Sequence, residues 1–175
     1  GDLATIIAAT NGAVVLNPQT IAAAYSDSAA NLAASFDGIT TLTSVLTITG
    51  ANVATIADLK TINAATSGTV ILNAATIAAD LNGSASDLAA AFDGITTSTG
   101  NLTITGTTPA TIAELMTINA ATSGDVVLNA QTIAADLNGS ATDLMAAFDG
   151  INTSTGDLTI TGTDLATVAQ LITIN

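Results

Sequence analysis

The chain repeats itself every 56 residues, and no other feature restricts its fold as strongly. Residues 57–112 laid over 113–168 agree at 44 of 56 positions without a gap, and residues 1–56 keep the same register more loosely. "LNGSASDLAAAFDGI" at 81–95 returns as "LNGSATDLMAAFDGI" at 137–151, and Phe36, Phe92 and Phe148 mark the interval. Near copies in sequence fold as near copies in space, each covering the next, so the expectation is a stack rather than a core organised around one centre. The copies are 1–56, 57–112 and 113–168, and 169–175 opens a fourth. This predicts one solenoid domain cut from a longer array.

Each copy divides again. "GTVILNAATIAADLNGSASDLAAAFDGITTST" (68–99) and "GNLTITGTTPATIAELMTINAATS" (100–123) both begin with Gly and a β-branched stretch, then reach Thr-Ile-Ala, an acidic residue and Leu. In the β-branched stretches Val70 and Leu72 alternate with Ile71 and Asn73, and Leu102 and Ile104 with Thr103 and Thr105, the mark of short strands with one buried face. Helical spacing follows in Ile77 with Leu81, Leu88 with Phe92, and Ile112 with Leu115 and Met116. Ser28, Ser84 and Ser140 stand where a helix should be capped, with Asp87 and Asp143 completing a capping-box pattern in two copies. Asn52, Thr108 and Asp164 are the expected starts of the other helix, and Asp-Gly at 37/38, 93/94 and 149/150 should close the first.

Six strand-then-helix units predict parallel strands with right-handed crossovers. The expected fold is therefore a right-handed α/β-solenoid of about six coils, one parallel sheet opposite a wall of short helices. A parallel β-helix is the competing fold, disfavoured because "SASDLAAAF" reads as a capped helix.

Nearly half of the residues are apolar, mostly Ala, Ile, Leu and Val with three Phe, one Tyr and no Trp, which suits thin aliphatic layers. Fourteen carboxylates face one cation, Lys60, for a net charge of −13. Such a surface repels nucleic acid and anionic membranes, whose recognition needs Lys and Arg. There is no Cys, hence no disulfide or thiolate metal site. No apolar run nears the roughly 20 residues that span a bilayer, and "GDLATIIAATNG" lacks a basic leader pattern.

"YSDSAANLAASFDGI" (25–39) and its counterparts, alternating with Leu-Thr-Ile-Thr strands, resemble the repeats of large secreted bacterial proteins: adhesins, surface-layer proteins and type I secretion substrates. The resemblance runs through all three copies on motifs of low complexity. It implies an extracellular or cell-surface setting, with self-association or other surface proteins as partners. The Gly-Gly-x-Gly-x-Asp nonapeptide that would carry calcium ligation is absent from this sequence.

Catalytic chemistry is poorly supplied, with no His, Cys or Arg. Paired carboxylates such as Asp80 and Asp87 have Ala24 and Asn31 at their places in the first copy, so no enzyme is expected. Calcium is the one candidate cofactor. "DLNGSASD" and "DLNGSATD" gather Asp80, Asn82, Ser84 and Asp87, then Asp136, Asn138 and Asp143, faintly like the start of an EF-hand loop without its bidentate Glu. The plainer explanation is a helix end, a glycine break and a new capped start. A third candidate is a lateral contact face on the outward side of the strands: Val15, Thr47, Thr49, Ile71, Thr103, Thr105, Val127, Thr159 and Thr161. Its Thr-x-Thr pairs look like those of ice-binding solenoids but are interrupted on alternate rungs, which favours protein contact. Asn17, Asn73 and Asn129 are expected to serve the backbone.

The sequence therefore reads as a structural module of an extracellular bacterial surface protein, with calcium-dependent assembly as the alternative and ice or glycan binding behind it.

Overall fold

Leu102, Thr103 and Ile104 show how the repeat is built. A parallel neighbour lies on each side of them, and both neighbours come from the same kind of segment without being equivalent to each other. The computed structural model describes residues 2–174. Among these are ten helices and eight short strands, giving a mixed α/β architecture with three small parallel sheets.

Seven helices form one row: α1 (Asp2–Ala8), α3 (Ala29–Phe36), α4 (Ile56–Ala65), α6 (Ala85–Phe92), α7 (Ile112–Ala121), α9 (Ala141–Phe148) and α10 (Val168–Ile174). Each packs on the next in that order. The strands are β1 (Tyr25–Asp27), β2 (Leu46–Ile48), β3 (Val70–Ile71), β4 (Leu81–Gly83), β5 (Leu102–Ile104), β6 (Val126–Val127), β7 (Leu137–Gly139) and β8 (Leu158–Ile160). They group as β1-β2-β3, β4-β5-β6 and β7-β8.

The single sheet expected from the sequence is thus broken. Leu102 pairs with Leu81 behind it and Val126 ahead of it. Between β6 and β7 the chain instead makes a jog through a one-turn helix, α8 (Ala130–Ile133), and the strand that pairs backward is not the strand that pairs forward. The same jog carries α5 (Ala74–Ile77) between β3 and β4, and α2 (Pro18–Ala22) stands at that place in the first copy. The expected helical pair Ile77 and Leu81 is corrected by the same feature, because Leu81 starts β4. The turn is nucleated locally: Asn73 Oδ1 accepts the Thr76 N–H at 2.9 Å, and Asn129 Oδ1 the Thr132 N–H at 2.8 Å.

Helix starts follow side-chain chemistry. Ser28, Ser84 and Ser140 cap α3, α6 and α9 as expected. The reciprocal half of the box is not made at Ser84, where the Asp87 carboxylate instead accepts the Ser84 hydroxyl at 2.8 Å. For α4 and α7 the caps are Thr55 and Thr111 rather than Asn52 and Thr108, and Thr167 rather than Asp164 precedes α10. The reason is the residue three places on: Asp58, Glu114 and Gln170 each accept the backbone N–H of their threonine, which settles the start there. Asp93 and Gly94 close α6 with a type II turn, Gly94 at φ 72° and the Ile95 N–H on Phe92 O at 2.9 Å.

The core lies between the helix row and the sheets. Leu88, Phe92, Leu102, Ile104, Leu115 and Ile118 fill one interior layer, and Phe36, Leu46, Ile48, Leu59 and Ile62 fill the equivalent one before it. All are essentially sealed from water. At the last strand and helix the same positions open up: Ile104 is 2% exposed but Ile160 36%, and Leu115 is 0% exposed but Leu171 44%.

Candidate functional site

The alternation of each strand decides which predicted contact residues share a surface. Thr47 sits in register between Ser26 and Ile71, Thr103 between Asn82 and Val127, and Thr159 beside Asn138. Ile71 and Val127 are about half exposed there, so a partly apolar outward face exists on the first two sheets. Other predicted members do not join it as expected. Val15 lies outside any strand and is exposed on its own. Thr49, Thr105 and Thr161 tie the ends of β2, β5 and β8 to the preceding strand, their N–H groups reaching the carbonyls of Asp27, Gly83 and Gly139 at 2.8 Å, with their side chains in solvent.

Asn73 and Asn129 point inward rather than onto that face. Asn73 Nδ2 donates to Gly50 O and Asn52 O, both at 2.9 Å, and Asn129 Nδ2 to Gly106 O and Thr108 O at 3.1 and 3.0 Å. Each therefore fastens two segments of backbone as well as capping its one-turn helix. Asn17 keeps only the cap, to the Thr20 N–H at 2.8 Å.

The candidate metal ligands serve separate neighbours. Asp80 Oδ1 accepts the Asn101 N–H at 2.8 Å, and Asn101 Oδ1 in turn accepts the Asp125 N–H at 2.9 Å. Asp136 repeats the first bond on Asp157 at 2.9 Å. Asp87 lies inside α6, where Lys60 of α4 reaches it at 2.6 Å. The hydrogen bond from Lys60, that from Ser84 and the Lys60 charge hold the Asp87 carboxyl below the usual carboxylate range. Asp143 stands at the matching place in α9, where the Ser140 hydroxyl accepts its N–H at 3.1 Å. Asn82 and Asn138 face outward, and their amides have no hydrogen-bond partner among the described residues. Among the described residues, no three His, Cys, Asp or Glu side chains gather closely enough to hold a metal ion.

Two open clefts recur one repeat apart. One, of about 390 Å³, lies between Thr66–Val70 and Asp93–Ile95; the other, of about 450 Å³, lies between Asp125–Leu128 and Gly150–Thr153. Asp93 is the ionisable side chain lining the first and Asp125 that lining the second.

Several residues that hold the structure together were not singled out from the sequence. Asn63 Nδ2 donates to Ala90 O and Asp93 O at 3.1 and 3.0 Å, capping the C-terminal carbonyls of the neighbouring α6, and Asn119 does the same for α9 through Ala146 O and Asp149 O at 3.0 Å. The signal was the recurring "TINAAT", whose asparagine sits among Ile and Ala near the end of the helix. No family model matches the chain, and neither characterised proteins nor solved structures give a match.

Proposed function

We propose that the protein is a structural repeat module of an extracellular bacterial surface protein: a right-handed α/β-solenoid of about six coils that supplies length, stiffness and a repeated outward face. The observation that carries this reading is the fate of equivalent residues. Ile104 and Leu115 are sealed because a further helix and strand cover them, while Ile160 and Leu171, the same positions one repeat later, stand partly in water. Burial is a property of the neighbour rather than of the single unit, which is the energetic signature of a linear stack. The row of seven helices, whose starts from Ala29 onward alternate 27 and 29 residues apart, supports two coils per repeat.

The acidic side chains are dispersed over separate backbone and helix partners, and the exposed Ile71 and Val127 give the outward face the apolar character of a contact surface. The partners that fit are further copies or other surface proteins. Small-angle scattering of chains with two, three and four repeats tests the reading: the maximum dimension should grow by a constant step per repeat. A dimension growing only as the cube root of mass would overturn it.

A further inference from the structure

We propose that Asn82 and Asn138 are acceptor sites for N-linked glycan. Both stand in Asn-Gly-Ser, the triplet whose asparagine amide and following hydroxyl are read by oligosaccharyl transferases. In both, an aspartate precedes the asparagine by two residues, in Asp80-Leu-Asn82-Gly-Ser84 and Asp136-Leu-Asn138-Gly-Ser140. A carboxylate at that place offers a transferase a further, charge-assisted contact beyond the triplet. Asn101 and Asn152 also begin such triplets, but Thr99 and Gly150 occupy the acidic place, and the first copy has Ser26 where the asparagine would be.

The structure presents the two asparagines openly, while the Ser84 and Ser140 hydroxyls cap α6 and α9 and Asp80 and Asp136 hold the Asn101 and Asp157 N–H groups, so a transferase reads hydroxyl and carboxylate as those bonds open. Asn82 and Asn138 are exposed, with Leu81 and Leu137 turned to the interior beside them, and their amides are unengaged among the described residues. Residues 81–83 and 137–139 are already extended, Ser84 continues at φ −62° and ψ 156°, and β4 is an edge strand whose second side carries no partner. Asn101 by contrast spends its side-chain oxygen on the Asp125 N–H. In the reaction Asn82 Nδ2 attacks the anomeric carbon of a glycan carried on a lipid diphosphate. The bond from that carbon to the phosphate oxygen breaks, the diphosphate departs with its electron pair, and Nδ2 loses one proton to a base of the transferase.

The consequence is positional. Asn82 is in register with Thr103, and Asn138 with Thr159, so a glycan on either would cover the outward face at that rung and leave Ser26, Thr47 and Ile71 of the first sheet bare.

The inference rests on the extracellular setting proposed above, and its test is made independent of that setting. The 175-residue chain, exported by a foreign leader and carrying a five-residue acceptor tag, is produced in a bacterial host with an oligosaccharyl transferase and its lipid-linked glycan. Intact mass and peptide mapping should find glycan on Asn82 and Asn138 as well as on the tag. Asn82→Gln and Asp80→Ala should each abolish the first site and leave the second; Ala24 holds the place of Asp80 in the first copy, so that variant is expected to fold. A chain modified only on its tag, or modified equally at Asn101 and Asn152, overturns the assignment. Such a failure would leave the scaffold reading standing, because that reading is decided by scattering.

Discussion

The hydroxyl of Thr76 accepts the backbone N–H of Ala54 at 2.9 Å, and Thr132 accepts that of Ala110 at 2.8 Å. All four residues are buried, so each bond closes an interior donor that water cannot reach. Thr76→Val keeps the shape and removes the acceptor; we expect a loss of about 1–3 kcal/mol, the cost of a buried unpaired N–H. Thr76→Ser should lose clearly less. Urea denaturation midpoints at unchanged m-value check both, and equal losses for Val and Ser would reject the bond as the cause.

Gly100 lies where a side chain would run into the carbonyl oxygen of Ala79, and Gly156 meets Ala135 in the same way. The first copy has Ser44 there; its hydroxyl is buried without a partner, and only the Thr43 N–H reaches the Ile21 carbonyl, whereas Thr99 and Gly100 both reach that of Ile77. Gly100→Ser should therefore destabilise by about 1–3 kcal/mol, while Ser44→Gly should not destabilise. Thermal melts of the two single variants decide this.

One substitution made twice tests whether burial depends on the neighbour. Ile104→Ala should cost about 2–5 kcal/mol, and Ile160→Ala, at the half-open equivalent position, under about 1 kcal/mol. Similar losses at both sites would mean that the last strand is covered in solution.

Asp87 has its carboxyl lowered chiefly by the Lys60 hydrogen bond. A carboxyl lowered in the folded state contributes stability that is present above its unfolded value, about pH 4, and is lost as pH falls through the lower folded value. The stability of the parent chain minus that of Lys60→Met, the residue found at 116, should therefore shrink below about pH 4. An unchanged difference from pH 6 to pH 3 would show that the pair does not titrate as a unit.

Fourteen carboxylates on one body repel one another, and screening shortens their reach to about 8 Å at physiological ionic strength. The melting temperature should rise with sodium chloride alone. At fixed ionic strength a chelator should leave it unchanged, because Asp80 and Asp87 serve different partners; a fall on chelation would reveal a calcium site.

What could be read from the sequence was set by periodicity. The repeat, the Ser84 cap, the Asp93-Gly94 turn and the buried faces of Leu102 and Ile104 each follow from a local rule, and each is present. The break between sheets was not legible, because Ile77 and Leu81 have helical spacing while their fates are decided by Asn73 capping a single turn and by Leu81 pairing with Leu102, a partner 21 residues away. The inward turn of Asn73 was hidden for the same reason: strand alternation sends it outward, but the strand ends before reaching it. Of the candidate face, Thr47, Ile71, Thr103, Val127 and Thr159 share outward strand surfaces. The acidic loops looked like one cluster only because neighbours in sequence need not be neighbours in bonding.

The jog between β3 and β4 also bears on misassembly. Strands this rich in Ile, Val and Thr have the β-propensity that cross-β aggregation draws on, although a net charge of −13 opposes it. Because the hydrogen-bonded ladder is cut at every repeat, each free edge is two or three residues long and ends against a helix, too short a template for an incoming strand to propagate a fibril.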